Sequence, residues 1–421
     1  MYNVVELFSG IGSQIKAMKN LDMTIGESYT CEWDLHAIIA YDAIHRSTEI
    51  PFNLLRLKKD DLIRKLSEWT FSAEGKEAAS DSVIRNLSSN VLRRLYSAIK
   101  GTNNYVDISS LKGNSIPGNI DIMTYSFPCQ DVSNVGAFHG YKKGIDKDSG
   151  SRSSLLWQVG RILEEMKAQD KKLPRFLLME NVTALMQGRH LKNFEMWIGD
   201  LEKLGYVSKY YPLNALDFGL PQNRPRLLMI SAFVGDDVKK KSEVQAFFDR
   251  KTVDAVIKEY KESAFFRKMT IADLLRNDYT DPEQFEEACE CTPNNTPSRM
   301  KIWEDNPQLV LEGNQINSRY QIVRTITTKQ DRNPNSGNLW FDSGIEGRAK
   351  FRYLTPRECM LFMGFTDSDY ELLQKRNPDI RSGFKLFSRD KIIRLAGNSI
   401  PVKLLEGVIL QIKKLDEEVF S

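Results

Sequence analysis

A chain of 421 residues is long enough for two domains, or for one large domain that carries an insertion. Its 41% hydrophobic and 27% charged content is that of an ordinary globular protein, and no window approaches the roughly 18 apolar residues of a membrane span. A net charge of +3 decides nothing about partners, and five cysteines without framework spacing point to a reducing compartment rather than a disulfide scaffold. The opening "MYNVVELFSGIG" lacks the basic and apolar regions of a signal peptide.

In chain order, "YNVVELF" reads as a strand and "SQIKAMKNL" has apolar residues at helical spacing. "MTIGESYTCEW" is a second strand, followed by an amphipathic helix over "LHAIIAYDAIH". Residues 51–104 are polar, rich in Lys, Ser and Glu, and read as an insertion. Within it Leu87, Val91, Leu92 and Leu95 mark one helix face, for which an internal amphipathic helix is a plainer account than a partner surface. "IDIMTYSF", "PRFLLMENV" and "RPRLLMISAFV" read as buried strands, the first two separated by a helix over "SLLWQVGRILEEMKAQ". This alternation predicts an α/β fold with a doubly wound, mostly parallel sheet. After Val234 the rhythm stops, and 235–350 reads as a loop-rich second region that carries specificity. "TPRECMLFMGF", with Thr355 and Pro356 placed as a helix start, and "GNSIPVKLLEGVILQIKKL" close the chain as helical signatures.

Several short stretches carry chemistry. "ELFSGIG" follows the first strand, and Gly10 and Gly12 would let the backbone turn tightly and approach a ligand. A plain tight turn explains a lone GxG equally well. Glu32, in "CEWD", stands where an acid can accept bonds from ribose hydroxyls. Ile15 occupies the place of the third glycine of a dinucleotide fingerprint, so a smaller nucleoside cofactor fits better. Cys129 directly follows Pro128, which suits the exit from a sheet, and a long polar loop with four glycines follows it. A buried structural cysteine is the bland account; an accessible nucleophile at the base of a lid is the sharper one. Glu180 in "MENV" is either a helix cap or a catalytic acid. Arg224 and Arg226 in "QNRPR" are either salt-bridge partners or forks for a planar or anionic ligand. Cys289 and Cys291 have no second pair nearby and the four histidines are scattered, so no metal site is expected. Cys31 and Cys359 read as packing residues.

Taken in order, "FSGIG", "SFPCQ", "ENV", "QNRPR", "LTPRECMLFMGF" and "AGNSIP" resemble the DNA cytosine-5 methyltransferase family of prokaryotic or phage type, from Glu6 to Val402. The resemblance implies a Rossmann-like, S-adenosylmethionine-dependent fold with a smaller target-recognition domain. Its divisions would be 1–234 for catalysis and cofactor, 235–350 for target recognition, 351–388 as a bridge and 389–421 as a return. It implies Cys129 as the nucleophile on carbon 6 of cytosine and Glu180 at ring nitrogen 3 and the exocyclic amine. Arg226 would hold the carbonyl oxygen at position 2, with Arg224 in support. The cofactor would be met by Phe8, Gly10, Ile11, Gly12, Glu32, Trp33, Asp107, Ile108, Pro128, Leu155, Asn398 and Ser399. DNA would be met by Gln130, Ser133, Arg152, Gln222, Thr325 and Thr327. Residues 315–352 hold seven Lys/Arg against three Asp/Glu, suited to phosphate, whereas 277–297 hold six Asp/Glu and no Lys/Arg and would face away from DNA.

The function so implied is base flipping in double-stranded DNA followed by methyl transfer to carbon 5, by a monomer in the cytoplasm of a prokaryote. A cognate restriction endonuclease would be a partner if the chain belongs to a restriction-modification system. A stand-alone phage or bacterial enzyme is the other setting. A transfer-RNA methyltransferase of the same fold and a catalytically silent DNA-binding relative remain alternatives. The sizeable region after "QNRPR" favours DNA, and the complete Cys129, Glu180 and Arg226 set argues against silence.

Overall fold

The computed structural model describes residues 1–128, 155–306, 308–309, 311–312, 315–316, 322–331 and 336–421. The chain divides into two compact units. The first comprises Met1–Leu213, Pro225–Phe265 and Leu405–Ser421; the second comprises Asn214–Arg224 and Phe266–Leu404.

The first unit is built on six strands: β1 (Tyr2–Leu7), β2 (Ile25–Cys31), β3 (Ile122–Tyr125), β4 (Phe176–Asn181), β5 (Tyr206–Asn214) and, beyond a two-residue β6 (Gln222–Asn223) of the second unit, β7 (Pro225–Phe233). Their order is β2-β1-β3-β4-β7-β5, with β1 parallel to β2 and β3, and β3 parallel to β4. Strands β3 and β4 are near-continuous apolar runs, as a sheet covered on both faces requires. The chain steps from β1 outward to β2, then crosses to β3 on the other side of β1. The crevice at the carboxyl ends of β1 and β3 is therefore the topological switch point, where ligands bind in such sheets. One correction to a simple parallel reading is β7, which runs antiparallel to β4.

Helices α1 (Ser13–Asn20) and α2 (Leu35–His45) follow β1 and β2. The pattern of α2 predicts one wet face, yet ten of its eleven residues are buried. The cause is the 51–104 segment, which folds as α3 (Phe52–Leu55), α4 (Lys59–Leu66), α5 (Asp81–Asn86) and α6 (Ser89–Gly101) and lays α6 against α2. The apolar face expected there is present: Val91, Leu92 and Leu95 are fully buried and Leu87 nearly so. On one face of the sheet, α7 (Leu156–Ala168) and α8 (Gly188–Lys203) cover Val5, Leu7, Met123 and Tyr125. Trp197 of α8 is buried there, and its indole N–H donates to the Tyr125 hydroxyl at 3.1 Å, which removes the cost of burying an unpaired donor.

The sequence reading begins a loop-rich region at 235, but Val238–Arg250 and Val253–Lys261 are helices that group with the first unit. Their signals are the N-caps Asp237 and Thr252, each accepting a backbone N–H three residues on. In the second unit, Thr355 caps the helix Pro356–Phe362 in a full capping box with Glu358, with the proline in the first turn, as expected. The closing signature "GNSIPVKLLEGVILQIKKL" is not one helix. It breaks between Arg389–Asn398 and Val402–Leu415, where Pro401 denies its predecessor a helical conformation. Among the described residues, no helix is long and apolar enough to cross a membrane.

Candidate active site

The loop after β1 is shaped by its glycines. Gly10 and Gly12 have φ of +53° and +81°. A Cβ on Gly12 would lie 2.4 Å from His45 Nε2 and 2.8 Å from Tyr41, so only glycine fits. At Gly10 a Cβ would meet nothing within 4 Å, so the loop backbone there fronts open space. His45 Nε2 sits 2.8 Å from the Ile11 carbonyl, holding the loop from below. Phe8 packs half-buried on the same core cluster as Leu155, and that cluster also holds Cys31, Ile108 and Phe127.

Glu32 begins the turn after β2. Its Oε2 accepts the Gly10 N–H at 2.9 Å and its Oε1 accepts the Asp34 N–H at 2.8 Å. Burial, and then the Asp34 carboxylate, push its pKa up to about 7. The Trp33 N–H also bonds this carboxylate, so the acid is held by three backbone donors around its own turn. Trp33 is half-buried, and its carbonyl accepts from Ser72 N–H at 2.8 Å. Asp107 is also half-buried and ties its own turn through Ser109 N–H at 2.9 Å.

At the end of β3, the Asn181 side chain donates to the Phe127 carbonyl at 3.1 Å and anchors the chain just before Pro128. Cys129, Gln130, Ser133 and Arg152 lie outside the described residues. The other four cysteines are free, and burial raises the thiol pKa of each. Raised thiols carry little thiolate and are poor nucleophiles.

Glu180 is the last residue but one of β4, and Arg226 the second of β7. The antiparallel register sets Glu180 opposite Leu228, and the guanidinium reaches back so that Arg226 Nε lies 3.0 Å from Glu180 Oε1. Each side chain is 12% exposed. A carboxylate and a planar fork, paired and mostly dry at strand ends, offer both an acceptor and donors to one flat ligand edge.

The second unit receives the rest. Gln222, expected on DNA, is fully buried: its Nε2 donates to the Phe362 carbonyl at 2.8 Å and its Oε1 accepts the Ile326 N–H at 3.0 Å. Its amide is spent on holding β6 beside Val323–Arg324, so it has no group to offer DNA. Arg224 is likewise buried and donates to the carbonyls of Ile326, Gly397 and Ser399 at 2.7–3.0 Å, a positioning arrangement. Thr325 donates to the Asn223 carbonyl at 2.8 Å, and Thr327 to that of Lys329 at 2.9 Å. Asn398 is exposed at a helix end, and the Ser399 hydroxyl turns back to Ala396 O at 2.6 Å. Arg352, counted among the basic residues of 315–352, is fully buried against Glu358 and is unavailable to phosphate. Within 277–297, Glu283 and Glu287 form ion pairs with Arg357; Glu287 is largely buried there, whereas Glu283 stays exposed.

Two side chains escape sequence reasoning. Asn104 bonds both backbone groups of Glu32, and Asn181 anchors Phe127. Neither shows periodicity; the adjacency of Asn181 to Glu180 is the one local signal. Among the described residues, no three His, Cys, Asp or Glu side chains gather as a metal site would need.

A family model for C-5 cytosine-specific DNA methylase matches residues 68–414. The orphan methyltransferase M.SssI of Spiroplasma monobiae is 29% identical over 96% of both chains. The type II methyltransferase M2.ScrFI of Lactococcus lactis subsp. cremoris is 28% identical over 98% of this chain and 99% of its own. The crystal structure of S. pombe Dnmt2 methyltransferase superimposes with a TM-score of 0.59 over 99% of both chains at 16% identity, which bears on the fold. With a glycine loop at the switch point, an acid after β2 and a Glu–Arg pair at the ends of β4 and β7, the chain belongs to the C-5 cytosine-specific DNA methylase family and is a DNA cytosine-5 methyltransferase.

Proposed function

We propose that the enzyme flips a cytosine out of duplex DNA and methylates its carbon 5 through a covalent adduct with Cys129. The observation that carries this reading is the Glu180–Arg226 pair, 3.0 Å apart and nearly dry, which matches the Watson–Crick edge of a single flipped base. Glu180 meets ring nitrogen 3 and the exocyclic amine, and Arg226 meets the oxygen at position 2. Together they stabilise charge as the ring is attacked. The Cys129 thiolate adds to carbon 6, and the displaced electron pair makes carbon 5 nucleophilic. Once carbon 5 has gained the methyl group, its proton leaves and the ring pair re-forms as the thiolate departs.

S-adenosylmethionine fits the residues present, because the backbone at Gly10 fronts open space and the Glu32 carboxyl, bonded to the Gly10 N–H, stands beside it as an acceptor for ribose hydroxyls. When bound, it supplies an electrophilic methyl group. Phe8, Ile11, Glu32 and Asp107 hold its nucleoside in this reading. Relatives named as an orphan and as a type II methyltransferase support a place either alone or as the modification half of a restriction system; the enzyme acts as a monomer in a prokaryotic cytoplasm in this reading.

The test is transfer of radiolabelled methyl to mixed-sequence duplex DNA and, separately, to transfer RNA, by wild type and Cys129→Ser. Label on DNA that disappears in the variant, located by bisulfite sequencing, is the expected result. Label on RNA alone, or label that survives Cys129→Ser, would overturn the reading.

A further inference from the structure

The 51–104 segment returns twice to the turn that carries Glu32. From one side, Ser72 N–H donates to the Trp33 carbonyl at 2.8 Å and the Ser72 carbonyl accepts Leu35 N–H at 3.0 Å, with Ser72 fully buried. From the other, Asn104 Oδ1 accepts Glu32 N–H at 3.0 Å and Val106 N–H at 2.8 Å, while its Nδ2 donates to the Glu32 carbonyl at 3.0 Å. The main chain extends this grip, with Tyr105 N–H on the Thr30 carbonyl at 2.9 Å. One buried amide thus fixes Glu32 at both of its backbone groups and also fixes the residue that leads into Asp107. That residue, Val106, has φ +67°, a left-handed conformation that a β-branched side chain adopts only when its surroundings impose it.

We infer that the 51–104 segment is a brace that presets the cofactor turn, and that Asn104 is the positioning residue which sets Glu32 and the approach to Asp107 relative to one another. This rests on the reading of Glu32 as the ribose-binding acid. An acid already held in place needs no ordering when its ligand arrives, so loss of the brace appears in cofactor affinity rather than in turnover.

The experiment is calorimetric binding of S-adenosylhomocysteine, with kcat and KM for S-adenosylmethionine on saturating DNA, for wild type, Asn104→Ala, Asn104→Asp and Glu32→Ala. Asn104→Ala is expected to weaken binding and raise KM by about tenfold, the cost of one buried hydrogen-bonding group, while kcat stays within about twofold. Asn104→Asp keeps both accepted bonds but turns a buried, charged oxygen onto the Glu32 carbonyl, so it is expected to weaken binding at least as much as Asn104→Ala. Its shape is that of the native residue, and it carries the comparison should Asn104→Ala not fold. A lowered melting temperature with unchanged affinity would mark a structural role only and overturn the brace, as would a fall in kcat at full affinity. If Asn104 variants bind normally while Glu32→Ala does not, the brace fails and the reading of Glu32 survives. Normal binding by Glu32→Ala would sink both.

Discussion

Glu180 and Arg226 hold each other in the free enzyme, and a flipped base has to replace that pairing with its own edge. Removing either partner therefore strips transition-state stabilisation and leaves the other charge poorly compensated. Glu180→Gln and Arg226→Lys, which keep size or charge but not the donor–acceptor pattern, are each expected to lower kcat by about a hundredfold or more; Arg226→Lys keeps the charge and should hold the melting temperature, whereas Glu180→Gln should lower it. Equal kcat in either variant would remove the pair from the chemistry. A second carboxyl has a different part. Glu6 is fully buried beneath the glycine loop, accepts Ile15 N–H at 3.1 Å and takes a bond from the Tyr41 hydroxyl. Burial outweighs both bonds and raises its pKa from 4.5 to about 7. The folded state then holds a proton that the unfolded chain releases near 4.5. The contribution is complete below that value and is lost as pH rises through about 7, roughly 3 kcal/mol in all. Urea midpoints of wild type should fall between about pH 4.5 and 7, a range in which the equally raised Glu32 contributes as well, and Glu6→Gln should make that fall about half as steep. Parallel slopes would place the pH dependence elsewhere.

The helix Pro356–Phe362 shows how a cap can serve two purposes. Glu358 closes the capping box on Thr355 and also receives both arms of the buried Arg352 guanidinium at 2.8 Å. Its loss would strand a charge with no water to receive it. Glu358→Ala should cost about 3–5 kcal/mol in guanidinium denaturation, whereas replacing both partners with apolar residues of similar volume should recover most of it. The cap at Thr355 could be read from the sequence because an N-cap is decided within four residues, whereas the like signal at Asp237 is lost within a stretch that reads as loop-rich. The environment of α2 could not. Its burial on every side depends on α6, which lies near the far end of the insertion.

A net charge of +3 is too small to draw the whole protein to DNA, so phosphate attraction has to be local. Of the basic residues in 315–352, Arg352 and Lys350 are paired with carboxylates and Arg348 donates to the Thr292 carbonyl, whereas Arg324 and Lys329 are exposed. Arg324→Ala and Lys329→Ala should each reduce the slope of log affinity against log salt by about 1, weakening all duplex sequences alike. Fluorescence anisotropy across a salt series would show it, and an unchanged slope in both would exclude this stretch from the phosphate contact.

Features written in a few adjacent residues are legible in the amino-acid order itself: the apolar runs of β3 and β4, the glycines after β1, the capped start at Thr355, and the succession of short motifs that marks the family. Each depends on local sterics or on burial of a whole segment, which composition records directly. Partnership is not legible there. That Glu180 faces Arg226 follows from β7 running against β4. That Gln222 and Arg352 are buried, and that Asn104 reaches Glu32, follows from which segment arrives to cover them. Whether a polar side chain works on a ligand or on its own fold is set by what excludes water from it, and those neighbours come from distant parts of the chain.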